Sequence, residues 1–228
     1  MTKTYLWSLA VALMCLSPTV FAGVQIGGTR LVYDGNSKMG TISVTNPDDR
    51  PYLIQSWVSS QEDEDDSDDT FITTPPLFRL EPNSQNSVRV IYSSNTLPDD
   101  QESVYWLNIK IIPTSNRQAS NDLLITVKNK MKLFYRPAVL NGDPLLAFKK
   151  LKFRQRDGKL AVFNPTPYSV SLYDLTVNGA TMTKPPMVLP SQEIVLGQKV
   201  QIGSPVSWRA INDFGGITPE QKMKVVTD

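Results

Sequence analysis

Seven of the eight residues from Glu62 to Asp69 are acidic, the one dense run of metal-ligating side chains in the sequence. Carboxylate oxygens are the ligands calcium takes. The run lacks the central glycine and the ordered spacing of a calcium loop, and it lies between two strand-like segments, so a solvated surface loop is expected. Other site chemistry is thin. There is no histidine, which removes imidazole acid–base catalysis, histidine-dependent nucleophiles and histidine metal ligation together. No two acids stand in a recognisable glycosidase setting. Lys+Arg number 23 against 22 Asp+Glu, a net charge of +1, without the basic excess that a nucleic-acid binder needs. The chain is therefore expected to be neither an enzyme nor a nucleic-acid binder, and to need no cofactor.

Residues 1–22 read as an export signal. Lys3 supplies the positive start, Tyr5 to Leu16 an apolar run, Pro18 a break, and Val20-Phe21-Ala22 a small-residue cleavage site. The apolar run is shorter than the ~20 residues that span a bilayer, so no membrane insertion is expected. Cleavage leaves 206 residues and removes Cys15, the only cysteine. The exported chain then has no disulfide and no thiolate for zinc, and its cores alone must hold it together.

What positions any site here is β structure. Thr41–Thr45, Tyr52–Val58, Ser87–Tyr92, Ser103–Ile109 and Leu123–Tyr135 are short runs rich in apolar and β-branched residues, separated by turn chemistry such as Asn46-Pro47-Asp48-Asp49. About seven such segments precede residue 140, which predicts an antiparallel sandwich of immunoglobulin type. Asn141-Gly142-Asp143-Pro144 is a turn signal suited to a domain link. Beyond it, Leu151–Phe153, Lys159–Phe163, Ser169–Val177, Ile194–Ile202 and Val206–Ile211 are again strand-like, and no segment shows sustained helical periodicity. The expectation is an all-β chain of two immunoglobulin-like β-sandwich domains: a signal at 1–22, a first domain at 23–141 and a second at 145–228.

Several strings are more specific than the fold. Thr29-Arg30-Leu31-Val32-Tyr33, Tyr52-Leu53-Ile54-Gln55-Ser56-Trp57-Val58 and Thr74-Pro75-Pro76-Leu77-Phe78-Arg79-Leu80-Glu81-Pro82 open the series. Leu97 to Asn108 and Met131-Lys132-Leu133-Phe134-Tyr135-Arg136-Pro137 follow, then Asn164-Pro165-Thr166-Pro167-Tyr168 and Ile211-Asn212-Asp213-Phe214-Gly215-Gly216. In this order and spacing the chain resembles the periplasmic pilus-assembly chaperones of the chaperone–usher pathway, over essentially all of its exported length.

The resemblance implies an L or boomerang arrangement of the two domains and a periplasmic chaperone as the function. Such a chaperone stabilises fimbrial (pilin) subunits by lending each an edge strand and delivers them to an outer-membrane usher. The lent strand would be Leu123 to Lys130, with Leu123, Ile125 and Val127 on one face by the period of two, entering the subunit's apolar groove. On periodicity alone these residues would face the chain's own core, as would Met131, Leu133 and Tyr135. Arg30 and Lys132 match the family's two cleft cations, which would anchor the subunit's C-terminal carboxylate. Glu102, Arg136 and Asp213 match a charge cluster that would bridge the domains, although Gln101 stands where relatives commonly carry Arg. The short stretch from Thr114 to Asp122 is similar to the short-loop branch. A self-dimer that caps the edge of the free protein is a partner the sequence leaves open.

The alternative function is an exported adhesin or carbohydrate-binding protein of two sandwiches, with Trp57, Trp106 or Trp208 stacking on sugar rings. Each lies inside a strand-like run and is expected in the core.

Overall fold

Alternation of apolar and polar residues with a period of two dictates strands that bury one face, and the computed structural model, which describes residues 23–63, 66–114 and 123–227, is built of them. The expected signal with Cys15, the acids Glu64 and Asp65, and residues 115–122 of the short stretch lie outside the described residues. In the first half the strands are β1 (Gln25–Ile26), β2 (Arg30–Asp34), β3 (Gly40–Asn46), β4 (Tyr52–Ser59), β5 (Phe71–Thr74), β6 (Leu77–Leu80), β7 (Ser84–Tyr92), β8 (Ser103–Pro113) and β9 (Val127–Arg136). One sheet runs β1-β3-β7-β5 and the other β2-β9-β8-β4-β6. Val44, Val88 and Val90 from the first meet Ile54, Leu107, Ile109 and Leu133 from the second in a single core.

The second half has β10 (Lys152–Arg156), β11 (Lys159–Phe163), β12 (Val170–Val177), β13 (Ala180–Thr181), β14 (Met187–Val188), β15 (Glu193–Lys199), β16 (Pro205–Ile211) and β17 (Gln221–Lys224). A three-stranded sheet β10-β11-β15 packs on a sheet ordered β13-β12-β16-β17, with β14 also on β12. Its separate core holds Phe153, Leu160, Leu175 and Trp208. The link carries a 3-10 helix at Pro144–Lys150, which Asp143 caps by accepting from the Leu145 N–H. Seven residues are too few for a helical period to show in sequence.

The structure corrects three expectations. Leu123 to Thr126 carry no strand pairing, and β9 begins at Val127. Among the described residues nine strands stand in the first half against about seven expected, because short strands such as β1, β5 and β6 do not alternate visibly. Of the three tryptophans among the described residues, Trp208 is a core residue, while Trp57 and Trp106 are half-buried. They share the face of their sheet opposite Ile54, Val58, Leu107 and Ile109, which fill the core.

A parallel strand pair sets up everything that follows. β2 runs parallel to β9, with Arg30 opposite Lys132 and Asp34 opposite Arg136. β2 starts at Arg30, so residues 127–131 of β9 have β8 on one side and, among the described residues, no strand on the other.

Candidate functional site

Arg30 and Lys132 are register partners on neighbouring strands, and both are half-buried. The Lys132 ammonium lies 5.8 Å from the centroid of the Trp106 ring, its cross-strand partner on β8. The Arg30 guanidinium lies 5.6 Å from the Phe134 ring. Both cations reach into the second half: Arg30 Nη1 donates to the Ile211 carbonyl at 3.2 Å, and Lys132 Nζ donates to Ser171 Oγ at 3.2 Å. Ser171 and Ile211 are themselves register partners between β12 and β16.

Electrostatically the pair is undercompensated. Burial, and then the charge of Arg30, hold the Lys132 ammonium below its ordinary range, and the charge of Glu62 offsets this only in part. Burial also lowers Arg30, against the opposing pull of Asp213. Neither forms an ion pair among the described residues, and Arg30 Nε is buried without an acceptor. Two partly desolvated cations side by side are chemically able to pair with an anion.

Next to this pair an apolar stripe runs through the unpaired segment before β9 and ends on its first residue, Val127. Leu123 is 85% exposed, Ile125 66% and Val127 48%, while Met131 and Leu133 of the same parity are buried. The stripe therefore leaves the protein's own core between Val127 and Met131. Exposed apolar side chains along an unpaired strand edge form a surface that pairs with another chain.

Behind the cations lies a charge cluster. Arg136 closes β9, and its Nε donates to Glu102 Oε1 at 2.6 Å. Its Nη1 and Nη2 donate to Asp213 Oδ2 and Oδ1 at 2.7 and 3.1 Å. Glu102, 3% exposed, sits just before β8. Its Oε2 accepts from the Ser169 N–H and its own N–H donates to the Pro167 carbonyl, both at 2.8 Å. Burial pushes the Glu102 carboxyl up, against the charge of Arg136 and the Ser169 hydrogen bond. Burial opposes the Arg136 charge too, but the hydrogen bonds and charges of Asp213 and Glu102 win and hold it above the ordinary arginine range.

The strings around these residues are explained by their local geometry. Asn164 donates to the carbonyls of Tyr168 and Val188 and accepts from Thr166, which shapes Asn164-Pro165-Thr166-Pro167-Tyr168 so that the Ser169 N–H faces Glu102. Asn212 accepts from the N–H groups of Phe214 and Gly216 and so folds the loop that presents Asp213. Gly215 has φ +82° and a Cβ there would stand 2.6 Å from Thr29 Oγ1, so only glycine lets this loop close on the first half.

The structure thus brings Arg30 to Lys132, and Glu102 to Arg136 and Asp213, while Leu123, Ile125 and Val127 line the adjoining edge. Sequence reasoning missed Ser171 and Ser169. Their one signal was a strand-like run beginning at Ser169. Among the described residues no group of acids is gathered as a metal site.

Two β-sandwiches in series, joined by a part-buried charge cluster beside an open strand edge, are matched by the models of one family. The family model for the pili and flagellar-assembly chaperone, PapD N-terminal domain, matches residues 23–141, and that for the pili assembly chaperone PapD, C-terminal domain, matches residues 146–222; the chain belongs to this family. It is 37% identical over 203 residues to the chaperone protein FimC of Escherichia coli K12, covering 87% of this chain and 83% of FimC. To the chaperone protein FimB/FhaD of Bordetella pertussis it is 37% identical, covering 93% and 92%. Its fold is similar to a chain in the complex of the Salmonella enterica SafA pilin with the SafB chaperone, with TM-score 0.80, 33% identity, and coverage of 91% and 99%. The Escherichia coli chaperone DraB is similar at TM-score 0.77 and 30% identity, covering 89% and 96%.

Proposed function

We propose that this chaperone works in the periplasm, where the first domain, 23–141, binds unassembled fimbrial subunits by lending them the edge of β9, and that it delivers them to an outer-membrane usher. The second domain, 145–228, braces the cleft through Asp213 and Ser169. The observation that carries the reading is the place of Arg30 and Lys132: they are paired in register where the open edge of β9 ends.

The direction of the bound chain follows. A segment that pairs with residues 127–131 and ends its carboxylate between Arg30 and Lys132 has its C-terminus at the Lys132 end. It runs parallel to β9, in line with β2. Its backbone takes the unpaired groups of the edge, and the lent Leu123, Ile125 and Val127 fill its apolar groove. Full burial of three such side chains is worth about 5–9 kcal/mol gross, reduced by the ordering of residues 123–126 and by association. The charge-assisted bonds to the tail contribute about 1.5–3 kcal/mol each and fix register, since a slip of one residue turns the apolar set away from the groove.

The similar SafB chaperone was solved with a pilin, which supports a pilin as the partner here. Co-expression with fimbrial subunits of the source organism, followed by pull-down from the periplasm, tests the reading. Recovery of subunits with the wild type but not with Lys132→Ala is expected; equal recovery overturns the anchor.

A further inference from the structure

The anchor is not the property of the first half alone. Lys132 Nζ is held from two sides, by the ring of Trp106 on β8 and by Ser171 Oγ on β12, which lies across the cleft and is 3% exposed. Lysine is a flexible four-carbon stem with three rotatable N–H donors. Left free, it loses rotamer entropy on capturing an anion. A hydroxyl acceptor at 3.2 Å takes one of the three donors, fixes the direction of the ammonium and leaves the other two. Ser171 is itself locked, because β12 pairs with β16 at Ser171–Ile211 and the Ile211 carbonyl holds Arg30. One cross-strand pair of the second half therefore orients both cations of the first.

We propose that Ser171 is a positioning residue of the carboxylate anchor: by accepting from Lys132 Nζ it pre-orients the ammonium for the tail of the bound chain, so that the anchor is assembled only when the two halves are docked. This rests on reading Arg30 and Lys132 as the anchor. The groups facing Lys132 are Arg30 from β2, Trp106 from β8, Ser171 from β12 and Glu62 from the loop after β4.

The experiment uses the exported protein and two synthetic peptides of alternating apolar residues, one ending in a free carboxylate and its twin ending in an amide. Affinities are measured from pH 7 to 10. Wild type prefers the free acid, and Lys132→Ala abolishes that preference. Ser171→Ala, and Ser171→Cys with its poorly accepting thiol, weaken the free-acid peptide about 3- to 10-fold, the worth of one net hydrogen bond. The amide is left unchanged, and the fall of free-acid affinity at alkaline pH moves to lower pH, because the ammonium has lost an acceptor. Ser171→Thr restores wild-type behaviour. If both Ser171→Ala and Ser171→Cys bind the two peptides as wild type does, or lose affinity for both equally, the role of Ser171 is overturned while the anchor stands. If wild type itself does not distinguish acid from amide, the anchor and the Ser171 proposal fall together.

Discussion

Arg136 grips Asp213 through two hydrogen bonds while its Nε holds Glu102, so a residue at the end of β9 joins a buried carboxylate of the first half to an aspartate of the second. Glu102 completes the brace with its bond to the Ser169 N–H. A part-buried, multiply bonded cluster of this kind contributes more to geometry than to stability while intact, but removing Arg136 leaves the buried Glu102 charge stranded.

Arg136→Ala is therefore expected to destabilise the protein by about 3–5 kcal/mol, as read by urea unfolding near neutral pH. The loss also acquires a pH sign. Without Arg136, burial raises the Glu102 carboxyl further than in the wild type. A folded-state pKa above the unfolded value gives stability that is present at acid pH and lost as pH rises through the folded pKa. The variant's deficit is therefore smallest at acid pH, where Glu102 is protonated, and grows as pH rises through the raised Glu102 pKa. A deficit independent of pH contradicts this account.

Lys132→Ala behaves differently. The ammonium is disfavoured by burial and by Arg30, so removing it relieves a like-charge contact. Its melting temperature should equal or exceed that of wild type even though subunit recovery is lost. A melting temperature lowered by more than a few degrees would place Lys132 in the stability of the fold instead.

Binding of a carboxylate favours the protonated form of Lys132, whose pKa is depressed in the free protein. Complex formation should take up protons at alkaline pH, and affinity should fall as pH rises through a value below the ordinary lysine range. Calorimetry in buffers of different ionisation enthalpy measures the uptake. No uptake, or loss only at the ordinary lysine range, argues against an undercompensated cation.

Ile125, exposed and just before β9, gives the converse test. Ile125→Asp should leave unfolding unchanged within about 0.5 kcal/mol, as for an exposed position, and block subunit capture by carrying a charge into an apolar groove. Normal capture by the folded variant contradicts strand lending through this face.

The sequence made the strands legible wherever an apolar stripe faces a core, as in Ile54 to Val58 and Leu107 to Ile111. It did not reveal where the stripe on β9 leaves that core, since Leu123 to Val127 keep the parity of Met131 and Leu133. That change depends on which neighbours long-range packing brings to each residue, and this is not a local property. The pairing of Arg30 with Lys132 is likewise a long-range parallel register, and only the family strings pointed to it. Trp57 and Trp106 were placed in the core by their strand-like setting, but a strand has two faces and they occupy the other one. Ser171 was hidden because a serine in a strand run has no signature of its own; its meaning comes from the docking of the two halves.

Amide hydrogen exchange with and without a bound fimbrial subunit tests strand lending most directly. Strong new protection confined to residues 123–131 is expected, with the N–H groups of β15 and β17, two edge strands of the second half, exchanging as before. Protection that appears on β15 or β17 while residues 123–131 stay open would contradict strand lending.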